Sequence, residues 1–422
     1  MPDWKQQLRK ALVTVAGTLA NLLFTLLRNK LLAITLGPAG IGWIALVNSL
    51  IETAAIASAS GSSDALNREL ARKEASHDES AIISTCAALL AILLALAVPA
   101  IAAAYLGIVP QRIGLVIAVT GLCIALFAAA IWRFLTGVFL GFGMAKPLAK
   151  ALVAGSAANL VITAVLLWQG VREPLVFVVL SPLMLAASGL IAIGVRTASL
   201  IEWHGIISMP AFKPVVAIAL PITLGLLLEP MIALYLRSET VARFGAVGVG
   251  LIQPGLQLAL LAGIVFNSVA GMTVVRWDQL QERSWSRNYR MLLAAALLIP
   301  VVGTALAFAC IPIYPHIVTA LFAEEFLPGA QTIAWFLMGE SLRIAGALLL
   351  FTFMSRALGM YTLIPRVGAL ICAVIWVQIS EQIDLTVIAQ GYAAAFAAYS
   401  ILSLILWLEL QLRMHRNAEV AT

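Results

Sequence analysis

Charge is scarce in this chain. Only 11% of its 422 residues are charged, against about 25% in soluble domains. Hydrophobic residues make up 62% and the mean hydropathy is +1.02, so too little polar surface exists to face water on all sides, which excludes a soluble globular protein. Cysteine is almost missing. Cys86, Cys123, Cys310 and Cys372 each stand alone in apolar runs without ligand spacing, so neither a disulfide framework nor a metal centre is expected. The four histidines, His77, His204, His316 and His415, are scattered, and no Ser-His-Asp cluster stands out. GPAGIG has no strand before it and GFGMAK lacks Walker spacing, so neither reads as a nucleotide loop. No enzyme and no cofactor is expected. Long alternating strands are also lacking, against an outer-membrane barrel.

What the chain has instead is long apolar runs. A bilayer-crossing helix needs about 20 mostly apolar residues. Twelve such segments are predicted, near 11–36, 42–64, 81–106, 113–142, 147–169, 175–197, 214–236, 246–275, 290–311, 328–355, 360–380 and 385–410. Polar or Gly/Pro-containing breaks separate them, among them NRELARKEASHDES, GIVPQR, QGVREP, RWDQLQERSWSRNYR and SEQID. MPDWKQQLRK resembles the basic start of a signal peptide, but the apolar stretch after it runs to about Leu36 and contains Arg28 and Lys30, so it is kept as the first span. The net charge of +6 is topological. With the N-terminus placed in the cytoplasm, 18 of the 26 Lys and Arg fall on the cytoplasmic side. Arg112, Arg172, Arg237 and Arg243 fall outside, and Arg28, Lys30, Arg133 and Arg343 lie within spans. This bias puts both termini in the cytoplasm and requires no nucleic-acid partner.

A repeat runs through the sequence. LGPAGIGWIALVNSL begins at Leu36 and FGAVGVGLIQPGLQL at Phe244, so Gly37, Gly40 and Gly42 correspond to Gly245, Gly248 and Gly250, each 208 positions on. Asn21 meets Glu229 at the same offset; Arg133 meets Arg343, and GMAK at 143–146 meets FMSR at 353–356, at an offset of 210. Two parallel six-helix halves are expected, 1–205 and 206–422, with each glycine-rich stretch read as a turn between two spans. Transporters built this way place their site between the halves.

Four bases in spans would cost on the order of 10 kcal/mol if they faced lipid. A wet cavity or paired acids should therefore surround them. Thr18, Asn21, Thr25 and Arg28 share one helical face, as do Ser156, Asn159 and Thr163. Gln253, Gln257 and Asn267 form a third stripe, and Asn48 lies one turn from Glu52. Arg28 and Arg133 have no acid at i±3 or i±4 and are read as ligand contacts. Glu340 and Arg343, three apart, are a possible neutral pair. Lys30 has an interfacial reading beside a ligand one. Asp64 has a capping reading, at the end of SGSSD, beside a functional one, and Glu229, beside a helix break expected at Pro230, is the acid read for ion or proton handling.

NKLLAITLGPAGIGWIALVNSLIETAAIASASG and LFAEEFLPGAQTIAWFLMGESLRIAGALLLFTFMSRALGMY resemble the span 1–2 and span 9–10 regions of Wzx-type polysaccharide flippases. These belong to the multidrug/oligosaccharidyl-lipid/polysaccharide (MOP) exporter superfamily, and the likeness is nearest to the branch that handles enterobacterial common antigen. RNKLLAITLG is also similar to the span 1 segment of lipid II flippases, where an arginine contributes to pyrophosphate binding; the matching position is Arg28. The resemblance implies an all-α, twelve-span, two-lobe MATE-like fold in the bacterial inner membrane. It further implies alternating access for an undecaprenyl-pyrophosphate-linked glycan, moved from the cytoplasmic to the periplasmic leaflet. Arg28, Arg133, Arg343, Lys30, Asn21, Asn48 and Gln257 are then candidate substrate contacts, and Glu52, Asp64, Glu229 and Glu340 candidate couplers to a proton or sodium ion. Membrane lipid and a polysaccharide polymerase are the candidate partners. The alternative within the superfamily is a multidrug or organic-cation antiporter, whose cavity should be net acidic.

Overall fold

The computed structural model describes residues 4–64, 66, 79–108, 115–194, 209–281, 285–354, 359–380 and 384–420. Every regular element among them is helical. In order these are α1 (Trp4–Ala55), a π-helical turn (Ile56–Ser60), α2 (Glu79–Ile108), α3 (Leu115–Gly141), α4 (Ala145–Trp168), α5 (Pro174–Ile193), α6 (Met209–Gln281), α7 (Trp285–Ala309), α8 (Tyr314–Leu321), α9 (Ile333–Met354), α10 (Leu363–Ile379) and α11 (Leu385–Val420). Short 3-10 turns precede α8, α9 and α10. Eight of the described helical segments are long and apolar enough to cross a membrane, and three shorter apolar helices accompany them. Two of the eight, Leu12–Asp64 and Thr223–Ile264, each hold parts of two of the spans expected from the sequence. Contacts divide the chain into Met1–Pro230 and Met231–Thr422, each described by itself below. The boundary expected at 205/206, Arg112, Asn267, His77, His204, His415 and the FMSR stretch at 353–356 fall outside the residues whose side chains are described.

The repeat has a geometric basis at one residue in each unit. The glycine-rich stretches are not loops. The helix runs up to a single non-helical residue and resumes at once: Gly37 at φ 63°, ψ −173° in α1, and Gly245 at φ 66°, ψ −170° in α6. That backbone region is essentially glycine-only. Pro38 follows Gly37, where its missing N–H belongs to the first turn of the new limb and costs nothing. Three residues on, a second glycine completes each corner. A Cβ at Gly40 would overlap Leu36, and one at Gly248 would overlap Phe244, because each corner folds the residue before the bend over that glycine. By contrast, no break occurs at Pro230, and Gly245 is the non-helical residue of α6. Apolar helices tolerate proline when neighbouring groups satisfy the freed carbonyls.

Close packing within each unit uses small residues, as is usual where lipid removes the hydrophobic drive between helices. In the first unit α1 crosses α4 at Gly17 and Ala149, and α4 crosses α5 at Gly155 and Ser188, whose hydroxyl donates to the Ala151 carbonyl at 2.9 Å. In the second unit Gly339 and Gly346 of α9 lie against Tyr392 and Tyr399 of α11. Phe336, Tyr392, Phe396 and Tyr399 form a ladder of edge-on rings with centroids 5.2, 4.7 and 6.0 Å apart. Each such pair adds about 0.5–1.5 kcal/mol beyond burial, and the ladder fixes where the Tyr392 phenol points. At the start of α11, Asp384 accepts from the Thr386 hydroxyl at 2.5 Å and the Val387 N–H at 2.9 Å, capping the helix. The Thr386 bond is the main cause that holds this carboxyl below its ordinary range; partial burial opposes it.

Candidate functional site

The polar stripes meet one another inside the first unit. Ser156, Asn159 and Thr163 of α4 are all buried, and the α1 stripe turns Arg28 toward them. Its guanidinium, in a residue only 4% exposed, donates from Nη2 to the Phe177 carbonyl at 2.5 Å and from Nε to the Thr163 hydroxyl at 3.4 Å. Phe177 lies next to Val178, whose carbonyl loses its helical donor at Pro182 of α5. Arg28 thus ties α1 to both α4 and α5. Thr18 and Thr25 donate to carbonyls of their own helix, at Thr14 and Asn21. Asn21 and Lys30 are half-buried. Asn159 Oδ1 is buried without a hydrogen-bond partner, one turn before Thr163.

Arg133 lies in a different setting. It projects from α3 toward the second limb of α1, near the π turn. Its Nη2 is 3.2 Å from Glu52 Oε1 and its Nη1 is 3.4 Å from Ser60 Oγ. Ser63 donates to the Arg133 carbonyl at 2.9 Å, and Gly137, one turn further along α3, leaves room for the Ser63 backbone. The π turn places this serine-rich stretch, ASASGSSD, against α3; such turns are frequent at functional sites. The ion pair is open: its side chains are 31% and 62% exposed. Asn48, one turn before Glu52, is half-buried, and Asp64 beyond the π turn is half-buried too. Glu229, also half-buried, lies near the far end of this unit.

The second unit treats its arginine oppositely. Arg343 donates from Nε to Glu340 Oε2 at 2.9 Å and from Nη2 to Oε1 at 2.6 Å, a two-pronged grip. Tyr392 adds a third bond to Glu340 Oε2 at 3.2 Å. The carboxylate side chain is 1% exposed and the guanidinium side chain 13%. Gly263 of α6 lies flat on this pair, and a Cβ there would overlap Glu340 Oε1. Sequence spacing anticipated the pair but gave no sign of Tyr392, which is 52 positions from Glu340.

Two further guanidiniums escaped the sequence reading. Arg237, expected outside the membrane, is 8% exposed within α6 and donates to Gln253 Oε1 at 3.0 Å. Donor and acceptor lie eight residues either side of Gly245, so the bond ties the two limbs across the corner. The stretch SETVARF after Arg237 reads as polar enough for a loop, which hid it. Arg366, counted on the cytoplasmic side, is buried in α10 and donates to the Thr362 hydroxyl at 2.8 Å. Gln257 Oε1, one turn past Gln253, is buried without a hydrogen-bond partner. Among the described residues no cluster of His, Cys, Asp or Glu has the make-up of a metal site.

No protein-family model and no curated protein sequence matches the chain. Solved structures do resemble it. An inward-facing multidrug resistance MATE family transporter of the MOP superfamily gives a TM-score of 0.70 at 17% identity, covering 98% of this chain and 99% of that one. A MATE protein in complex with MaD3S gives 0.68 at 18%, covering 98% and 96%. A MOP superfamily transporter from Pyrococcus furiosus Vc1, described as having a binding pocket of reversed polarity that suggests a different function, gives 0.69 at 17%, covering 97% and 95%. The chain therefore has the all-helical fold of MATE family transporters of the MOP superfamily, the fold class expected from its sequence.

Proposed function

We propose that the chain is a multi-pass transporter of the bacterial inner membrane that moves an undecaprenyl-pyrophosphate-linked glycan from the cytoplasmic to the periplasmic leaflet by alternating access. The observation that carries this reading is Arg133, a guanidinium at span depth whose side chain is 31% exposed and held by one contact to an exposed acid. A residue so placed offers fork-shaped donors to a phosphate. Arg28 is already engaged by a carbonyl and a hydroxyl, and Arg343 by a carboxylate, so each braces the helices of its own unit. Lys30, Asn21 and Asn48 of the first unit and Gln257 of the second supply further polar groups within the apolar helices. Lipid-linked glycan, membrane lipid, a coupling proton or sodium ion and a polysaccharide polymerase are the proposed partners.

Cells deleted for this chain accumulate lipid-linked oligosaccharide on the cytoplasmic leaflet, and wild-type protein restores export. Arg133→Ala reaches the membrane in normal amount yet does not restore it; full restoration by that variant rejects the reading. The second reading, an organic-cation antiporter, is favoured by Glu52, whose side chain is 62% exposed. Under it, the deleted cells retain cationic dye and their lipid-linked glycans stay normal.

A further inference from the structure

We propose that Glu52 is an exchangeable counter-ion of Arg133: a phosphate or pyrophosphate arriving at Arg133 displaces it, and the released carboxylate then binds a monovalent cation, H⁺ or Na⁺. This rests on reading the chain as a transporter of an anionic headgroup, and it adds how ligand and ion are linked.

The contrast between the two units carries the argument. Arg133 and Arg343 correspond in the repeat, 210 positions apart, but their acids do not. Arg343 takes Glu340 from its own helix, two-pronged, buried and reinforced by Tyr392. Breaking such a buried pair is strongly unfavourable. Arg133 takes Glu52 from another helix, through one contact at 3.2 Å, with both side chains open. An exposed pair of that kind holds weakly, whereas a phosphate offers several oxygens and more than one negative charge to the same fork. The ligand can therefore evict Glu52 and cannot evict Glu340. Ser60, at 3.4 Å from Nη1, keeps the guanidinium in place while its acid leaves.

Among the described residues Arg133 is the charged partner of Glu52. Arg28, on the same helix, is bonded to Thr163 and Phe177. Lys146 and Lys150 of α4, the other bases on helices packed against α1, make no ion pair with Glu52 among the described residues. Asp64, beyond the π turn, is of like sign. The released carboxylate then lies beside the ligand's negative charge, and a cation from solution relieves that repulsion. Charge then balances: the ligand's anion is held by Arg133, and Glu52 is neutralised by the cation. Ligand and cation therefore load together. A cationic substrate would have the opposite linkage, competing with the ion for Glu52.

The test is calorimetry on the full chain in lipid nanodiscs with geranyl pyrophosphate as probe. Titrations use buffers of different ionisation enthalpy, with and without Na⁺. Wild type should take up close to one cation per ligand. Glu52→Gln should take up none and bind the probe about twofold to fivefold tighter, the strength of an exposed pair. Glu52→Asp should keep the uptake, and Arg133→Ala should lose probe binding. Binding without cation uptake in wild type, or undiminished uptake in Glu52→Gln, overturns the exchange and leaves the transporter reading standing. Failure of wild type to bind the probe, with a cationic dye bound through Glu52 instead, overturns both.

Discussion

Gly245→Ala isolates the backbone cost of the corner in α6. The built Cβ meets no heavy atom within 4 Å, so the substitution creates no clash. What remains is φ 66°, ψ −170°, a region that L-residues avoid. Holding alanine there costs about 1–3 kcal/mol, a factor of about 5 to 150 in the folding equilibrium. Asparagine sharpens the test. It tolerates the left-handed helical region near ψ of about +47°, but ψ at Gly245 is −170°, so Gly245→Asn should gain nothing over alanine. Gly37→Ala should fall in the same range, since Gly37 has φ 63° and ψ −173°. The assay is an SDS titration in mixed micelles followed by fluorescence of the ten tryptophans. Val247→Ala, at an exposed site in the same helix, serves as control and should stay within about 0.5 kcal/mol. If Gly245→Ala matches that control, or if asparagine restores full stability, the backbone argument is wrong.

Other outcomes follow from the buried polar groups. Arg28→Met keeps the packing of the side-chain stem but leaves the Phe177 carbonyl without its outside donor, so it should destabilise by about 1–3 kcal/mol and lower the amount of folded protein; a fully stable protein that is inactive would instead make Arg28 a ligand contact. Gly263→Ala should cost about 3–5 kcal/mol by prising Glu340 from Arg343, whereas the double change Glu340→Met with Arg343→Met should come close to wild-type stability in the same titration. Asp384→Ala removes the cap of α11 and should cost about 1 kcal/mol near neutral pH. Because the folded state holds this carboxyl below its ordinary range, its stabilisation is complete above the unfolded value of about 3.9 and fades as pH falls through the lower folded value. The difference between wild type and Asp384→Ala should therefore shrink only in that acid window; a constant difference across it contradicts the assignment.

The fold class was readable because it depends on composition and run length, which act over many residues at once. The repeat was readable because both corners need glycine at matching places, Gly37 with Gly40 and Gly245 with Gly248. The nature of the corner was not: a glycine-rich stretch looks the same whether it forms a loop or a one-residue bend. Polar stripes were read as faces, but a face carries no address. Ser156, Asn159 and Thr163 share one side of α4, and the sequence cannot say that this side meets Arg28 rather than water. Arg237 was misplaced for a related reason. Hydroxyl and charged residues around it resemble a connection until Gln253, on the far side of the bend, is seen to receive it. Proline misled in the other direction at Pro230, since local chemistry marks where a helix can break and neighbouring contacts decide whether it does.

The π turn at Ile56–Ser60 sets a phase for everything downstream of it. It holds more residues per turn than an α-helix, so Ser62, Ser63 and Asp64 are rotated by about 100°, one residue's share of a turn, from where an unbroken helix would aim them. Straightening this turn to α-helix with every residue kept would leave a good helix of the same length and hydropathy. Yet it would swing Ser63 off the Arg133 carbonyl and carry the serine-rich stretch away from Gly137. In this part of the chain, angular position is encoded by the type of helix at one turn, and deleting one residue there would restore the aim that straightening the turn had lost.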